Sequence, residues 1–208
     1  MPFELGQKEG ELLVKLARTA VEEFLKLGKY INIQKGIPTK LMEPCGVFVT
    51  INSLRNGEKE LRGCIGLPYP TAPLAQAVIE AAVSAATQDP RFPQLIVGEL
   101  DNVVFEISVL TPPQLVEVRT PTEYTKNVKV GEDGLIIERG MSKGLLLPQV
   151  PVEWRWDCEE FLCQCCVKAG LSPDSWLMKG TRIYKFQAII FEEENPKGEI
   201  KRKILGGK

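Results

Sequence analysis

Residues 45–67, CGVFVTINSLRNGEKELRGCIGL, decide the fold class. Residues 45–53 are rich in β-branched side chains and predict a strand, and residues 60–67 predict a second one. Asn56 and Gly57 stand between them, and this dipeptide is a strong signal for a tight turn between antiparallel strands. The stretch therefore predicts a β-hairpin, which requires at least one antiparallel pair in the sheet.

The hairpin is surrounded by further helices and strands. The other predicted elements are, in chain order, helix 8–27, helix 74–87 with Thr71 as N-cap, strand 101–110, helix 159–169 and strand 181–192. This order does not alternate strictly as a parallel βαβ protein would, so an α+β fold is expected. The charged tail at Lys197 and residues 201–203 predicts a solvated, frayed end.

A change in the local sequence pattern divides the chain into two parts. Thr111, Pro112 and Pro113 end the strand, and short β-rich segments follow as far as Arg155. We therefore expect a larger subdomain of residues 1–110 and 156–208, with both termini and a mostly antiparallel sheet flanked by helices. Residues 111–155 form the smaller, inserted β-rich subdomain of this prediction.

The composition excludes several classes of function. The 208 residues include no histidine, which excludes Ser-His-Asp triads, Cys-His dyads and HExxH zinc sites. The 26 basic and 27 acidic side chains give a net charge of −1, which disfavours nucleic-acid binding. No signal peptide or membrane-spanning run is apparent, and six cysteines are too few for a disulfide scaffold, so a reducing cytoplasm is expected.

Residues 61–66, LRGCIG, are the strongest candidate for a site. In a regular strand Arg62 and Cys64 share one face, with Cβ atoms about 7 Å apart. A guanidinium at that range favours the reactive thiolate, so Cys64 and Arg62 are the candidate catalytic residues. The predicted binding groove is lined by Leu61, Gly63, Ile65 and Gly66. The alternative is a half-buried cysteine, an arginine paired with a carboxylate, and glycines at a bulge.

Two loops contain further candidate binding residues. Asp89 and Arg91 are held in a proline-stiffened turn, and Glu153 precedes Trp154 in the run VEWRWD. A carboxylate beside an indole is a candidate acid with a raised pKa. Surface ion pairs, with Asp157 as a helix N-cap, are the alternative interpretation.

Four further cysteines lie close together, at positions 158, 163, 165 and 166. On one straight helix these thiols cannot converge on a metal ion, so no metal site is predicted. Their spacing favours core packing, while a metal site and a disulfide to Cys45 stay open as alternatives.

Several segments together resemble a known family. They are, in order, LRGCIG (61–66), QDPRFPQL (88–95), DGLIIERG (133–140), GLLLPQVPVEWRWD (144–157) and KAGL (168–171). This set is similar to the AMMECR domain family of archaeal, bacterial and eukaryotic proteins, named after a human contiguous-gene deletion region. The chain looks like an archaeal or bacterial member, and the likeness covers nearly its whole length.

The resemblance implies a two-part α+β fold with the LRGCIG signature at a cleft between the parts, suspected to be functional. It implies no assigned activity, and it leaves any cofactor unknown. Some relatives are fused to, or encoded beside, dioxygenase-like Memo proteins and radical-SAM proteins, which are therefore implied as pathway partners; a homodimer is also open. Relatives often carry a histidine where this chain has Asp133 and an arginine where it has Gln88, so a histidine-dependent mechanism is not expected here.

Two hypotheses follow for residues 61–66. In the first, the protein is an enzyme whose Cys64 acts as a nucleophile with the help of Arg62. In the second, it is a binding or adaptor module that recognises a small anion, a peptide or a partner protein through Arg62.

Overall fold

The computed structural model describes residues 4–33 and 36–205. In these ranges the α-helices are, in chain order, α1 (Gln7–Leu27), α2 (Leu74–Thr87), α3 (Tyr124–Asn127), α4 (Gln149–Glu153) and α5 (Cys158–Lys168). The strands are β1 (Gly46–Arg55), β2 (Glu58–Leu67), β3 (Val103–Leu110), β4 (Gln114–Leu115), β5 (Gly134–Arg139), β6 (Ser142–Leu146), β7 (Arg182–Phe186), β8 (Ala188–Glu193) and β9 (Ile200–Lys203). Short 3-10 helices cover Thr39–Met42, Val97–Asn102, Pro121–Glu123 and Pro173–Leu177.

The chain divides into two compact units. The first comprises residues up to Leu110 together with residues 189–203, and the second comprises residues 111–188 and the last described residues, 204–205, so the predicted location of both termini in the larger part is wrong for the C-terminal end. The division after Leu110 falls where the sequence analysis placed its first boundary. The other division lies after Ala188 instead of Arg155, because α5 packs on β5 and β6 and β7 pairs with β5.

The first unit is a five-stranded sheet with two helices on one face. The strand order is β2-β1-β3-β8-β9, and β1 is antiparallel to both β2 and β3. Alternate β1 residues Val47, Val49 and Ile51 are fully buried in the core that α1 and α2 complete. The fold class predicted from the sequence, α+β with antiparallel strands, is confirmed.

The hairpin and helix α2 of the first unit are predicted accurately, apart from the N-cap of the helix. Asn56 and Gly57 have φ of 52° and 83°, as a two-residue hairpin turn requires, so the hairpin is confirmed. Helix α2 spans the predicted residues, but Thr71 is not its N-cap. Pro73 occupies that position, and the N–H of Leu74 donates to Glu43 O at 3.0 Å, so this helix end needs no capping side chain.

The prediction of one final strand over residues 181–192 is wrong, because β7 and β8 belong to different sheets. The chain changes sheet at Gln187, whose N–H donates to Thr111 Oγ1 and whose carbonyl accepts from the Thr111 N–H, both at 2.8 Å. These bonds replace the ladder bonds that a continuous strand would make at this residue.

The predicted frayed tail is also wrong. Residues 200–203 form β9, which pairs antiparallel with β8, and Ile200 is buried. Lys203 forms an ion pair with Glu106 at 2.8 Å, and Lys201 forms one with Glu194 at 2.8 Å. The lysines that predicted a solvated end therefore form ion pairs with carboxylates of the first unit.

A buried ion pair connects α1 to β8. Arg18 Nε donates to Glu193 Oε1 at 2.7 Å, and the two residues are 7% and 2% exposed. Arg18 also donates to the carbonyls of Leu100 and Val103, while the N–H of Phe105 donates to Glu193 Oε2. Both charges are thus fully hydrogen-bonded, which is the condition for burying them.

The second unit has a four-stranded sheet, β4-β7-β5-β6, and its own core. Asp157 caps α5 by accepting from the N–H of Glu160 at 2.8 Å, and the helix buries Phe161, Leu162, Cys165 and Cys166. All six cysteines of the chain are free thiols. Over the described ranges, no helix combines the length and apolar character needed to cross a bilayer.

Candidate functional site

Strand β2 contains a bulge at Arg62, in the middle of the LRGCIG segment. Gly63 lies opposite Ile51 and Leu61 lies opposite Asn52, so Arg62 has no partner of its own on β1. A bulge interrupts the alternation of side chains between faces. Leu61 consequently falls on the same face as Cys64, in contrast to the regular strand assumed from the sequence.

The guanidinium of Arg62 is held by a loop. Its Nε and Nη2 donate to the two carboxylate oxygens of Glu99 at 2.8 and 3.1 Å, and Nη1 donates to Pro93 O at 2.8 Å. A fourth bond reaches Gln94 O at 3.3 Å, and the arginine side chain is 13% exposed. The hydrogen bonds from Arg62 lower the pKa of Glu99. Arg62 therefore fixes residues 93–99 against the bulge.

Both glycines of the segment lie against other parts of the first unit. A Cβ at Gly63 would come within 2.2 Å of the carbonyl oxygen of Ala85 in α2. A Cβ at Gly66 would come within 2.3 Å of the Phe48 ring. The space next to each glycine is occupied by the protein itself, and Ile65 packs against the same core.

Asp89 and Arg91 lie along the free edge of β2. The N–H of Cys64 donates to Asp89 Oδ2 at 2.8 Å, and Arg91 Nη2 donates to Cys64 O at 3.3 Å. Arg91 Nε also donates to Asp89 Oδ1 at 2.9 Å. Asp89 and Arg91 therefore hydrogen-bond the backbone N–H and C=O of Cys64, which a neighbouring strand would otherwise pair with.

We expect Asp89→Asn to remove a pH-dependent part of the stability. The hydrogen bond from Arg91, above all, lowers the pKa of Asp89 to about 2 from an ordinary value of 3.8. The carboxylate therefore stabilises the fold above pH 3.8, and this contribution is lost as the pH falls through 2. The difference amounts to about 2 kcal/mol for this buried group.

Urea unfolding at pH 5 and at pH 2.5 measures this effect. The wild type should lose more free energy of unfolding than Asp89→Asn over that interval. Asp174→Asn, at an exposed aspartate, is the matched control and should follow the wild type. Parallel losses in wild type and Asp89→Asn would contradict the proposed edge contact.

The Cys64 thiol lies beside the hydroxyl of Thr50 on the neighbouring strand. Thr50 Oγ1 donates to Cys64 Sγ at 3.2 Å, and the cysteine is partly buried. Burial raises the pKa of the Cys64 thiol, while the Thr50 hydrogen bond and the charge of Arg91 act against that rise. Glu106 and Asp89 raise it further. The pKa of Cys64 is therefore raised, whereas the sequence analysis predicted that it is lowered. The positive charge that lowers this pKa belongs to Arg91, not to Arg62.

Cys64 is part of a row of polar residues across three neighbouring strands. Thr50 on β1 is in register with Cys64 on β2 and with Glu106 on β3, so the three side chains share one face of the sheet. Glu106 is 4% exposed and accepts from Lys203 Nζ on β9 at 2.8 Å. Lys203 also lies 3.6 Å from Glu192 Oε2. We call Cys64, Thr50, Glu106 and Lys203 the polar row.

The sequence analysis missed three members of the polar row, namely Thr50, Glu106 and Lys203. One signal was available: Glu106 is the only charged residue in the strand VVFEISVL, whose eight residues are all buried. A carboxylate in such a strand is costly unless it has a partner or a function.

Two further residues named in the sequence analysis, Glu153 and Asp133, belong to the second unit. Glu153 ends α4 in the second unit, and its predicted place beside LRGCIG stays a prediction. Asp133, where relatives often have histidine, is buried and accepts from the N–H of Lys129 at 3.0 Å. Throughout the described ranges, no cluster of three or more His, Cys, Asp or Glu side chains is arranged to hold a metal ion.

Comparison with known proteins defines the class to which this fold belongs. The AMMECR1 family model matches residues 14–191, so the chain belongs to the AMMECR1 family. Protein PH0010 of Pyrococcus horikoshii is 55% identical over 206 residues, which cover 99% of this chain and 100% of that protein. Protein MJ0810 of Methanocaldococcus jannaschii is 52% identical over 201 residues, covering 97% of this chain and 98% of that one.

A solved structure is similar as well. The crystal structure of protein PH0010 matches with a TM-score of 0.94 and 55% identity, covering 97% of this chain and 99% of that chain. The two proteins therefore share the α+β fold described above.

Proposed function

We propose that the protein is a thiol-dependent enzyme in which Cys64 is the nucleophile and Glu106 accepts its proton. The observation that carries the proposal is the polar row. A thiol, a hydroxyl and a buried carboxylate stand side by side on adjacent strands, and Thr50 lies in register with both of the others. Thr50 lies between the thiol and the carboxylate, so its hydroxyl is placed to relay a proton from Cys64 to Glu106.

The raised pKa of Cys64 determines which mechanism suits this row. A thiol that stays protonated near neutral pH needs a base at the moment of attack. As Sγ forms a bond to a carbonyl carbon of the substrate, the π electrons of that carbonyl move onto its oxygen, and the thiol proton passes through the Thr50 hydroxyl to the Glu106 carboxylate. The chain contains no histidine, so a carboxylate takes the part that histidine plays in Cys-His pairs.

The binding-module hypothesis has less support than the enzyme hypothesis. It requires Arg62 to recognise a ligand, but the guanidinium already makes four hydrogen bonds to Glu99, Pro93 and Gln94. Arg62 instead acts as a positioning residue, since it holds the loop that lies beside the bulge.

The pH dependence of Cys64 alkylation by iodoacetamide, followed by site-resolved mass spectrometry, tests the polar row. Thr50→Val removes a hydrogen bond that lowers the pKa of Cys64, so we expect alkylation at pH 8 to slow by about fivefold. Iodoacetamide reacts with the thiolate that is already present at equilibrium, so its rate reports the pKa of Cys64 and not the help of a base. Glu106→Gln removes a charge that raises this pKa, so we expect alkylation to accelerate by about threefold, although the same variant should lose catalysis. The partly buried Cys163 serves as an internal reference.

Arg55→Gln, at an arginine that is 75% exposed at the end of β1, is the charge control and should leave the alkylation profile of Cys64 unchanged. Metabolite profiling of cells carrying wild type, Cys64→Ala or Glu106→Gln then tests catalysis, and both variants should accumulate the same compound. The enzyme proposal fails if Cys64 is alkylated only after unfolding, or if the metabolites of the Cys64→Ala strain match those of the wild type.

A further inference from the structure

A groove on the second unit lies outside the polar row. It has a volume of about 580 Å³ and is bounded by β6, α4 and α5. Small-molecule sites commonly have volumes of about 300–1,000 Å³. Its apolar wall is formed by Leu146, Val150 and Val167, and Val167 is 48% exposed. The groove therefore has the size and the lining of a ligand site.

Two stacked indoles form one side of the groove. The rings of Trp154 and Trp156 are 6.0 Å apart at an interplanar angle of 19°, and Trp154 is 69% exposed. The exposed indole of Trp154, next to an apolar wall, is a surface on which a flat ring of a ligand can stack.

The backbone between the two indoles is strained. Arg155 has φ of 56°, in the left-handed region that a glycine would adopt more easily. The N–H of Trp156 donates to Pro151 O at 2.8 Å and that of Arg155 donates to Val152 O at 3.2 Å, which closes the end of α4. Strain at a non-glycine residue is typical of functional sites, and here it positions the indole pair.

One cation borders the groove. Lys168, in the last turn of α5, is the single charged residue among the described residues that line it. Within the described part of the chain, Lys168 forms no ion pair, whereas Gln164 next to it donates to Glu160 Oε1 at 2.7 Å. Lys168 is exposed at the rim of the groove, so the negative group of a bound ligand would form an ion pair with its ammonium.

We propose that this groove binds a planar aromatic molecule that carries an anionic group. The ring stacks on Trp154 and lies against the wall formed by Leu146 and Val167, while the anion meets Lys168. The site lies in the second unit and is independent of the polar row, so its failure would leave the enzyme proposal intact.

Isothermal titration calorimetry with 2-naphthoate, using the full chain, tests the site. We expect a dissociation constant below about 1 mM. Trp154→Ala removes an exposed ring and should weaken binding by about tenfold. Lys168→Met should weaken 2-naphthoate by about fivefold and leave the neutral 2-naphthamide unchanged. Met141→Ala and Lys179→Met, at exposed positions outside the groove, should bind as the wild type does.

Three results would overturn the proposal. In the first, 2-naphthamide or cyclohexanecarboxylate binds as tightly as 2-naphthoate, so that either the charge or the flat ring is irrelevant. In the second, neither groove variant changes the affinity. In the third, sedimentation equilibrium shows a dimer that Trp154→Ala dissociates, which assigns the groove to a second copy of the chain.

Discussion

Gly63→Ala is expected to lower the free energy of unfolding by about 3 kcal/mol or more. The added Cβ would stand 2.2 Å from the carbonyl oxygen of Ala85 and 3.1 Å from its carbonyl carbon. Both atoms belong to the backbone of α2, so no side-chain rotation relieves the clash. Relief requires α2 to move away from β1 and β2, with loss of packing along a helix that buries ten of its residues.

Urea unfolding measures the effect, and Gly98→Ala is the matched control. A Cβ at Gly98 meets nothing within 4 Å, so the change there should stay within about 0.5 kcal/mol of the wild type. A loss below about 1 kcal/mol at Gly63 would show that α2 yields easily. The predicted large loss would explain this signature glycine by helix–strand packing directly behind Cys64.

Elements with local signals were predictable from the sequence. The hairpin depends on Asn56 and Gly57, which adopt the positive φ values that this turn requires. Helix α2 depends on a run of alanines between two proline-containing segments, and its predicted bounds are those observed. In both cases the information lies within about fifteen residues of the element.

Features created by distant contacts were not predictable. A bulge and an arginine paired with a carboxylate were only the alternative interpretation of LRGCIG, because no local pattern identifies the partner, Glu99, which is 37 residues from Arg62. The change of sheet at Gln187 depends on Thr111, 76 residues away, within a run that otherwise resembles one strand.

The candidate site was predictable in part, for the same reason. Cys64, Asp89 and Arg91 came from short motifs, and hydrogen bonds bring these three together. Thr50 and Glu106 join Cys64 only through the register of β1 with both of its neighbours. Register depends on the whole hydrophobic pattern, so single motifs do not reveal which side chains become neighbours.

The second large effect is expected at the buried ion pair. Arg18→Met should lower the free energy of unfolding by about 3–5 kcal/mol, because it leaves the Glu193 carboxylate buried without its cation. Glu193→Leu should cost less, because Glu22 lies 3.6 Å from the Arg18 guanidinium and partly compensates its charge. The double variant should lose at least about 2 kcal/mol less than the sum of the two. It should still be less stable than the wild type, since Val103 O and the Phe105 N–H lose their partners. Urea unfolding of all four proteins gives the coupling free energy.

The same four proteins test whether the residues on the two faces of β8 have different roles. Glu193 binds Arg18 of α1, whereas its neighbour Glu192 lies on the opposite face, near Lys203 of the polar row. The folded double variant should therefore keep the wild-type alkylation profile of Cys64 despite its lower stability. Strictly additive losses would contradict the ion pair, and a changed profile would mean that Arg18 and Glu193 act on the thiol. With an unchanged profile, the stability of the first unit and the reactivity of its thiol depend on different groups.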